Sequence, residues 1–183
     1  MDYRESSDET LMEATRAGSH AAMEVLVRRF AARLLTFLMR LTGRLHVAED
    51  LFQETFGAVW AKRETYHVGR AFKPWLYAIA VNKHRERGRR KAPVREHSGI
   101  PVAEPGEEIP EAHDRFAEAR VALAKLGDRQ REVVVLHLYG GLSYAQIGEC
   151  LGVGETTARG YMFQALGVLR REMQVDAVKE EAR

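Results

Sequence analysis

Residues 92–114 divide this chain. Four of its five prolines fall there (Pro93, Pro101, Pro105, Pro110), beside Gly99 and Gly106, and no lysine or arginine occurs from Glu96 to Asp114. Proline lacks a backbone donor, and together with glycine it interrupts helix and sheet alike. Loops of such length are uncommon inside compact domains. The segment therefore reads as a flexible acidic linker joining two small domains, 1–91 and 115–183. A surface loop within one domain is the bland alternative, and 183 residues leave room for either.

Charge follows the same division. Residues 1–91 carry a net charge of +6, residues 92–114 a net of −5 and residues 115–183 a net of +1, within a total of only +2. Such asymmetry points to a polyanionic partner for the first stretch. With 45% apolar and 30% charged residues the chain is of the folded kind. Its single cysteine forbids an intramolecular disulfide and speaks against a cysteine-based zinc site. The polar, acidic start from Met1 to Asp8 is unlike a signal peptide. No apolar run approaches the ~18 residues of a membrane span. A cytoplasmic protein is expected, without membrane insertion.

The apolar spacing is helical throughout, and an all-α fold is expected. Ser7 or Asp8 can cap a first helix that runs to Ala17 and stops at Gly18. Ser19 can cap a second, where Met23, Leu26, Val27, Phe30, Leu34, Phe37, Leu38 and Leu41 form one apolar stripe ending at Gly43. Val47 to Lys62 reads as a third helix, with Phe52, Phe56, Val59 and Trp60 on its buried side. Glu49, Asp50, Gln53 and Glu54 cluster near its N-terminal end, where carboxylates suit the helix dipole. The same cluster would also serve as a docking surface for a basic partner.

The segment Phe72 to Lys91 carries more information. Pro74 fits a first helical turn. At 100° per residue, Leu76, Tyr77, Ala80 and Val81 share one side, while Trp75, Asn82, Arg85 and Arg89 fall opposite. An aromatic, an amide and arginines supply stacking, base-edge hydrogen bonds and phosphate pairing. A solvated basic helix end would look similar in charge, and Trp75 on that face tilts the reading toward nucleic acid.

In the C-terminal stretch, Asp128 can cap a helix containing Val133, Val134, Leu136 and His137, closed by Gly140-Gly141. Ser143 and Gln146 then have capping-box spacing, and Leu142 and Ile147 hydrophobic-staple spacing. After Gly152-Val153-Gly154 a further helix begins near Glu155 to Thr157, with Ala158, Met162, Ala165 and Leu169 on its apolar side. Helix, glycine turn, helix is the helix-turn-helix pattern, whose second helix enters the DNA major groove. Any αα-hairpin is the alternative. Gln174 to Arg183 is a polar tail, expected to fray.

No catalytic, metal or cofactor site is expected. The seven histidines are dispersed without HExxH spacing, and His137 reads as a packed histidine. Cys150 reads as a small buried hydrophobe. Gly152-x-Gly154 lacks the third glycine of a dinucleotide fingerprint and follows a helix.

Taken together, these segments resemble the bacterial sigma factors of the extracytoplasmic-function (ECF) class, from about Ala17 to Met173. Ala48-Glu49-Asp50-Leu51-Phe52-Gln53-Glu54-Thr55-Phe56, followed by Trp60, is similar to the family's segment that binds core RNA polymerase. Phe72-Lys73-Pro74-Trp75-Leu76-Tyr77-Ala78-Ile79-Ala80-Val81-Asn82 resembles its segment for recognising and opening the −10 element. Arg129-Gln130-Arg131-Glu132-Val133-Val134, with Leu142-Ser143-Tyr144 and Leu151-Gly152-Val153, resembles the domain that reads the −35 element.

The resemblance implies two helical domains lying on core polymerase, with Asp50, Gln53, Glu54 and Phe56 in the docking segment. It implies that the loop from Tyr66 to Ala71 holds a flipped base of the melted non-template strand, with Tyr66 and His67 as contacts. Trp75, Asn82, Lys83, Arg85 and Arg89 would serve the −10 region. Glu155, Thr156, Thr157, Arg159 and Gln164 would read the duplex −35 element. The acidic linker would thread toward the RNA channel. ECF sigma factors are often held by an anti-sigma factor, and the resemblance admits one here.

One helix departs from the family. Where arginines are common, the chain holds Tyr161, Gln164 and Leu166, and Gly160 and Gly167 weaken the helix. A weak or unusual −35 interaction is expected, since phosphate contacts supply much of DNA affinity. Tyr161 and Phe163 are available to pack on the polymerase or on a regulator. The function expected is promoter-specific initiation of transcription, with no covalent chemistry of the chain's own. The alternatives are a helix-turn-helix regulator working without core polymerase, a sigma-like protein acting through protein partners, and, least supported, an enzyme.

Overall fold

A computed structural model describes residue 3 and residues 5–91 and 120–181, with side chains to Arg90 in the first part and to Glu172 in the second. The acidic linker lies outside the described residues. Among the described residues every regular element is helical: α1 (Asp8–Arg16), α2 (His20–Thr42), α3 (Leu45–Ala61), a 3-10 turn (Arg63–Thr65), α4 (Phe72–Lys91), α5 (Asp128–Leu138), α6 (Tyr144–Leu151) and α7 (Glu155–Glu181). Residues 120–124 are also helical.

Capping chemistry sets most of these ends. Ser7 and Ser19 accept the Thr10 and Ala22 amides at 3.1 and 3.2 Å. Gly43 stops α2 in the left-handed region at φ 70°, its N–H returning to the Met39 carbonyl at 2.8 Å. The start of α5 differs from expectation. Gly127 holds the cap position and Asp128 is the first helical residue. The Gln130 side chain reaches back to the Gly127 amide at 3.1 Å, so Asp128 is left to pair with Arg131 at 3.3 Å. The tail also differs: α7 continues as helix to Glu181. No glycine or proline follows Gly167, so nothing in 168–181 breaks it.

In the first half, α1 and α3 pack on α2, and α4 packs on α3. The α2 stripe forms as expected: Leu26, Phe30, Leu34, Phe37, Leu38 and Leu41 are buried, with Met23 and Val27 packed against them. Phe37 meets Tyr77 of α4 edge-on at 4.8 Å, and Phe30 meets Phe72 at 5.4 Å. Leu76, Tyr77, Ala80 and Val81 of α4 are all buried. In the second half, α6 and α5 both pack on α7, burying Ala158, Met162 and Ala165 beside Ile147, Cys150 and Leu151.

The turn from α6 to α7 is tight because two glycines allow it. Gly152 is left-handed, at φ 69°. At Gly148 a Cβ would lie 2.7 Å from the Val153 carbonyl oxygen, so the helix and the turn touch only because that position has no side chain.

The two halves also meet each other, α4 against α6 and α2 against α5. Arg85 of α4 forms a two-bond ion pair with Glu132 of α5, at 2.7 and 2.6 Å. Lys73 Nζ donates to the Gly141 carbonyl at 3.1 Å. The Cys150 thiol donates to the Pro74 carbonyl at 3.1 Å. Arg40 of α2 lies 5.1 Å from the Tyr139 ring centroid.

Candidate nucleic-acid interface

The acidic cluster on α3 forms one surface. Asp50, Gln53 and Glu54 sit at i, i+3 and i+4 and are exposed. Arg87 of α4 bridges them, donating to Asp50 Oδ2 at 2.8 Å and lying 3.5 Å from Glu54 Oε1. The face is therefore a fixed carboxylate and amide array. Phe56 is buried and meets Phe52 edge-on at 5.1 Å, so it supports the array from beneath. Trp60 stacks on His20 at 4.2 Å, with the Arg63 guanidinium 4.5 Å from its ring.

Beside α4, the loop 67–71 is exposed, including His67 and Val68, while Tyr66 is only 2% exposed. The Tyr66 hydroxyl donates to the Arg70 carbonyl, which ties the loop across its base. Burial, with the carboxylates of Glu9, Glu13 and Asp8 nearby, pushes the Tyr66 phenol up to about 12. Its ring lies 5.1 Å from Trp75 and 6.4 Å from Phe72. Tyr66 thus forms the floor of the loop, and the sequence-based expectation of direct base contact meets a buried ring.

The expected face of α4 is only partly open. Asn82 and Arg89 are exposed and Trp75 is half-buried. Lys83 pairs with Glu86 at 3.4 Å. Arg85, expected to face solvent with Asn82, is turned onto Glu132, whose side chain is 4% exposed. A buried carboxylate needs a hydrogen-bonded cation, which is the physical reason for the difference. Arg129 adds a weaker contact to the same carboxylate at 3.4 Å.

Two further residues escaped sequence reasoning. Glu9 of α1 accepts the Phe72 amide at 3.1 Å, capping α4 from 63 residues away. No local signal marks such a cap. Arg131 is buried and donates to the Leu123 and Leu126 carbonyls at 2.9 and 2.7 Å. Its burial lowers its pKa against the opposing pull of Asp128 and Glu132. It staples the chain that enters α5.

On α7, Glu155, Thr156, Thr157, Arg159 and Gln164 are all exposed. Gln164 is 3.5 Å from Gln130 Nε2 across a shallow cleft also lined by Gly127, Asp128, Arg129 and Tyr161. Tyr161 packs on the core, whereas Phe163 is 78% exposed. Arg159 is held on two sides, by Glu155 and by the Tyr144 ring at 5.0 Å from its Cζ.

No group of three or more His, Cys, Asp or Glu among the described residues is arranged to hold a metal ion. No described helix is long and apolar enough to cross a membrane.

Among the described residues the chain is all-helical, with a helix-turn-helix at α6–α7 and a basic, aromatic helix at α4, the arrangement of a DNA-binding protein. The sigma-70 region 2 family matches residues 26–93, and sigma-70 region 4 matches residues 122–171. The chain is 35% identical to the ECF RNA polymerase sigma factor SigE of Mycolicibacterium smegmatis, over 92% of this chain and 70% of that one. It is 36% identical to the RNA polymerase sigma factor CarQ of Myxococcus xanthus (81% and 87% covered) and 33% identical to the ECF sigma factor SigL of Mycobacterium tuberculosis (86% and 92%). The chain belongs to the ECF RNA polymerase sigma factors.

Solved structures agree on the fold. CnrH, in complex with the cytosolic domain of CnrY, superposes with a TM-score of 0.75 at 24% identity, covering 92% of this chain and 98% of that one. The sigma factor RpoE from Bartonella quintana, solved with the anti-sigma factor NepR, gives 0.60 at 26% identity, with 82% and 98% covered.

Proposed function

We propose that this sigma factor docks core RNA polymerase through Asp50, Gln53 and Glu54 on α3. The −10 element is then read and opened by Trp75, Asn82, Lys83, Arg85 and Arg89 of α4, together with the exposed loop at His67. Tyr66 acts by holding that loop. On the same reading α7 approaches the −35 duplex with Glu155, Thr156, Thr157, Arg159 and Gln164, residues 1–91 and 115–183 work as separate domains, and the chain acts in the cytoplasm without catalysing a reaction itself.

The observation that carries this reading is the junction of α3 and α4. Arg87 ties the carboxylate array of α3 to α4 from the side that also buries Leu76 and Ala80, which leaves the basic, Trp-bearing side of α4 facing away from α3. A polymerase-docking surface and a strand-opening surface are thereby held as one rigid unit.

An anti-sigma protein is included among the partners, because RpoE, at 26% identity, was solved with one. Phe163, exposed on the helix that otherwise reads DNA, favours a second reading in which that helix acts through a protein.

The test is promoter opening. Purified chain and bacterial core polymerase are mixed with promoter DNA from upstream of its own gene, carrying a fluorescent base in the −10 region. Opening that needs both proteins and is lost in Trp75→Ala or Asn82→Ala is the expected result. Core binding without opening on any promoter would support the protein-partner reading. Absence of core binding would overturn the proposal.

A further inference from the structure

We infer that Arg159 reads the edge of a guanine in the −35 element and not a phosphate, and that Tyr144 is the positioning residue that aims it. This rests on the proposed reading of α7 as the −35 helix.

Arg159 is the sole basic residue between Glu155 and Leu169. It stands in the second turn of α7, within the N-terminal part that contacts base edges in helix-turn-helix proteins. A phosphate contact asks only for a free positive charge, which a mobile surface side chain supplies. Arg159 is not free: it has two partners, although its side chain stays 62% exposed to a ligand. Its Nε and Nη2 both donate to Glu155 Oε1, at 3.2 and 2.5 Å. Its guanidinium lies over the Tyr144 ring.

Tyr144 is fixed in turn. It stacks on His137 at 4.8 Å with the planes 14° apart, and His137 Nδ1 donates to the Leu142 carbonyl at 2.9 Å. The helices α5, α6 and α7 thus each contribute one layer to a His137–Tyr144–Arg159 stack.

The consequence is chemical. Glu155 occupies the Nε–Nη2 side of the fork, so the hydrogens on Nη1 and the second on Nη2 remain for a ligand. Two parallel donors at fixed spacing match O6 and N7 of guanine. The neighbouring Glu155 carboxylate repels a phosphate at the same place. A guanidinium held in position before binding loses less entropy when it binds.

The experiment uses holoenzyme, full chain with core polymerase, and the promoter fragment from upstream of its own gene randomised across the −35 region. Bound DNA is sequenced, and affinity for the best sequence is measured against salt. Wild type is expected to enrich guanine at one position by about tenfold or more. Arg159→Ala flattens that position alone, leaving the salt slope within about half a unit of wild type. Tyr144→Leu flattens the same position while preferences elsewhere persist, which a merely unfolded domain would not permit. Tyr144→Phe keeps the ring and restores the preference.

Uniform weakening of every sequence by Arg159→Ala, with the slope falling by about 0.9, would mean a phosphate contact and overturn the inference. An effect of Arg159→Ala without one of Tyr144→Leu would overturn the positioning role. A wild type with no enriched position at all would remove the −35 reading itself.

Discussion

Arg85 of α4 donates through Nε and Nη2 to the two carboxylate oxygens of Glu132 on α5, at 2.7 and 2.6 Å. On the proposed reading, this pair joins the −10 helix to the −35 domain. Elements centred 25 base pairs apart lie ~85 Å apart on B-DNA at 3.4 Å per pair. Promoter binding by both domains at once must therefore break the pair. With the charge gone in Glu132→Gln, Arg85 is released and the free chain should bind a −10 non-template oligonucleotide about fivefold tighter, ~1 kcal/mol. Fluorescence anisotropy of a labelled strand checks this. Unchanged affinity in a folded variant would show that Arg85 is no part of the strand site.

The α6–α7 turn offers a graded pair of variants. Ser143→Ala removes the hydroxyl that accepts the Gln146 amide at 3.3 Å and should cost about 1 kcal/mol. Gly148→Ala should cost more, about 1–3 kcal/mol, because its Cβ would meet the Val153 carbonyl and neither backbone can yield cheaply. Urea denaturation ranks the two. Both should leave core polymerase binding intact, since the proposed docking face is on α3. Equal destabilisation would mean that the turn relaxes around the methyl group.

Local chemistry was legible in the sequence, and contacts between distant segments were not. The Ser143–Gln146 box, the Gly152 stop and the α2 stripe are written within a few residues of each other, and all form as read. So did the burial of Leu76, Tyr77, Ala80 and Val81. At Asp128 a local rule failed because Gly127 with Gln130 made a competing cap. Arg85 was read as part of an open face with Asn82, yet it pairs with Glu132, 47 residues on, where helical periodicity says nothing. The same holds for Glu9, which caps α4, and for Tyr66, whose burial depends on α1 and α4 closing over it.

His84 sits among the charges of the contact between the halves and titrates against them. Burial lowers its pKa below 6.5 more than Glu132 raises it, with Arg131 and Arg85 also lowering and Asp128 raising it. Well above pH 6.5 the ring is neutral in both folded and unfolded chains and contributes nothing. As pH falls through 6.5 the unfolded chain takes up the proton first, so stability declines. The melting temperature should drop between pH 7.5 and pH 5.5, and His84→Gln should reduce that drop. An identical drop in the variant would assign it to other groups.

Cys150 reports on the same contact. Its thiol is buried and bonded to the Pro74 carbonyl, and burial, with Glu149 adding to it, pushes its pKa up to about 12. Thiolate is the reactive form, so at pH 8 the closed chain should resist iodoacetamide while urea-unfolded chain reacts. Separation of α4 from α6 removes the Pro74 cover without unfolding either helix. Alkylation of Cys150, followed by mass spectrometry of its peptide, should therefore speed up when core polymerase and promoter are added. It should speed up in Glu132→Gln as well, even without them. Protection that persists both in the open promoter complex and in Glu132→Gln would mean that Cys150 is shielded by its own domain and not by Pro74 of α4.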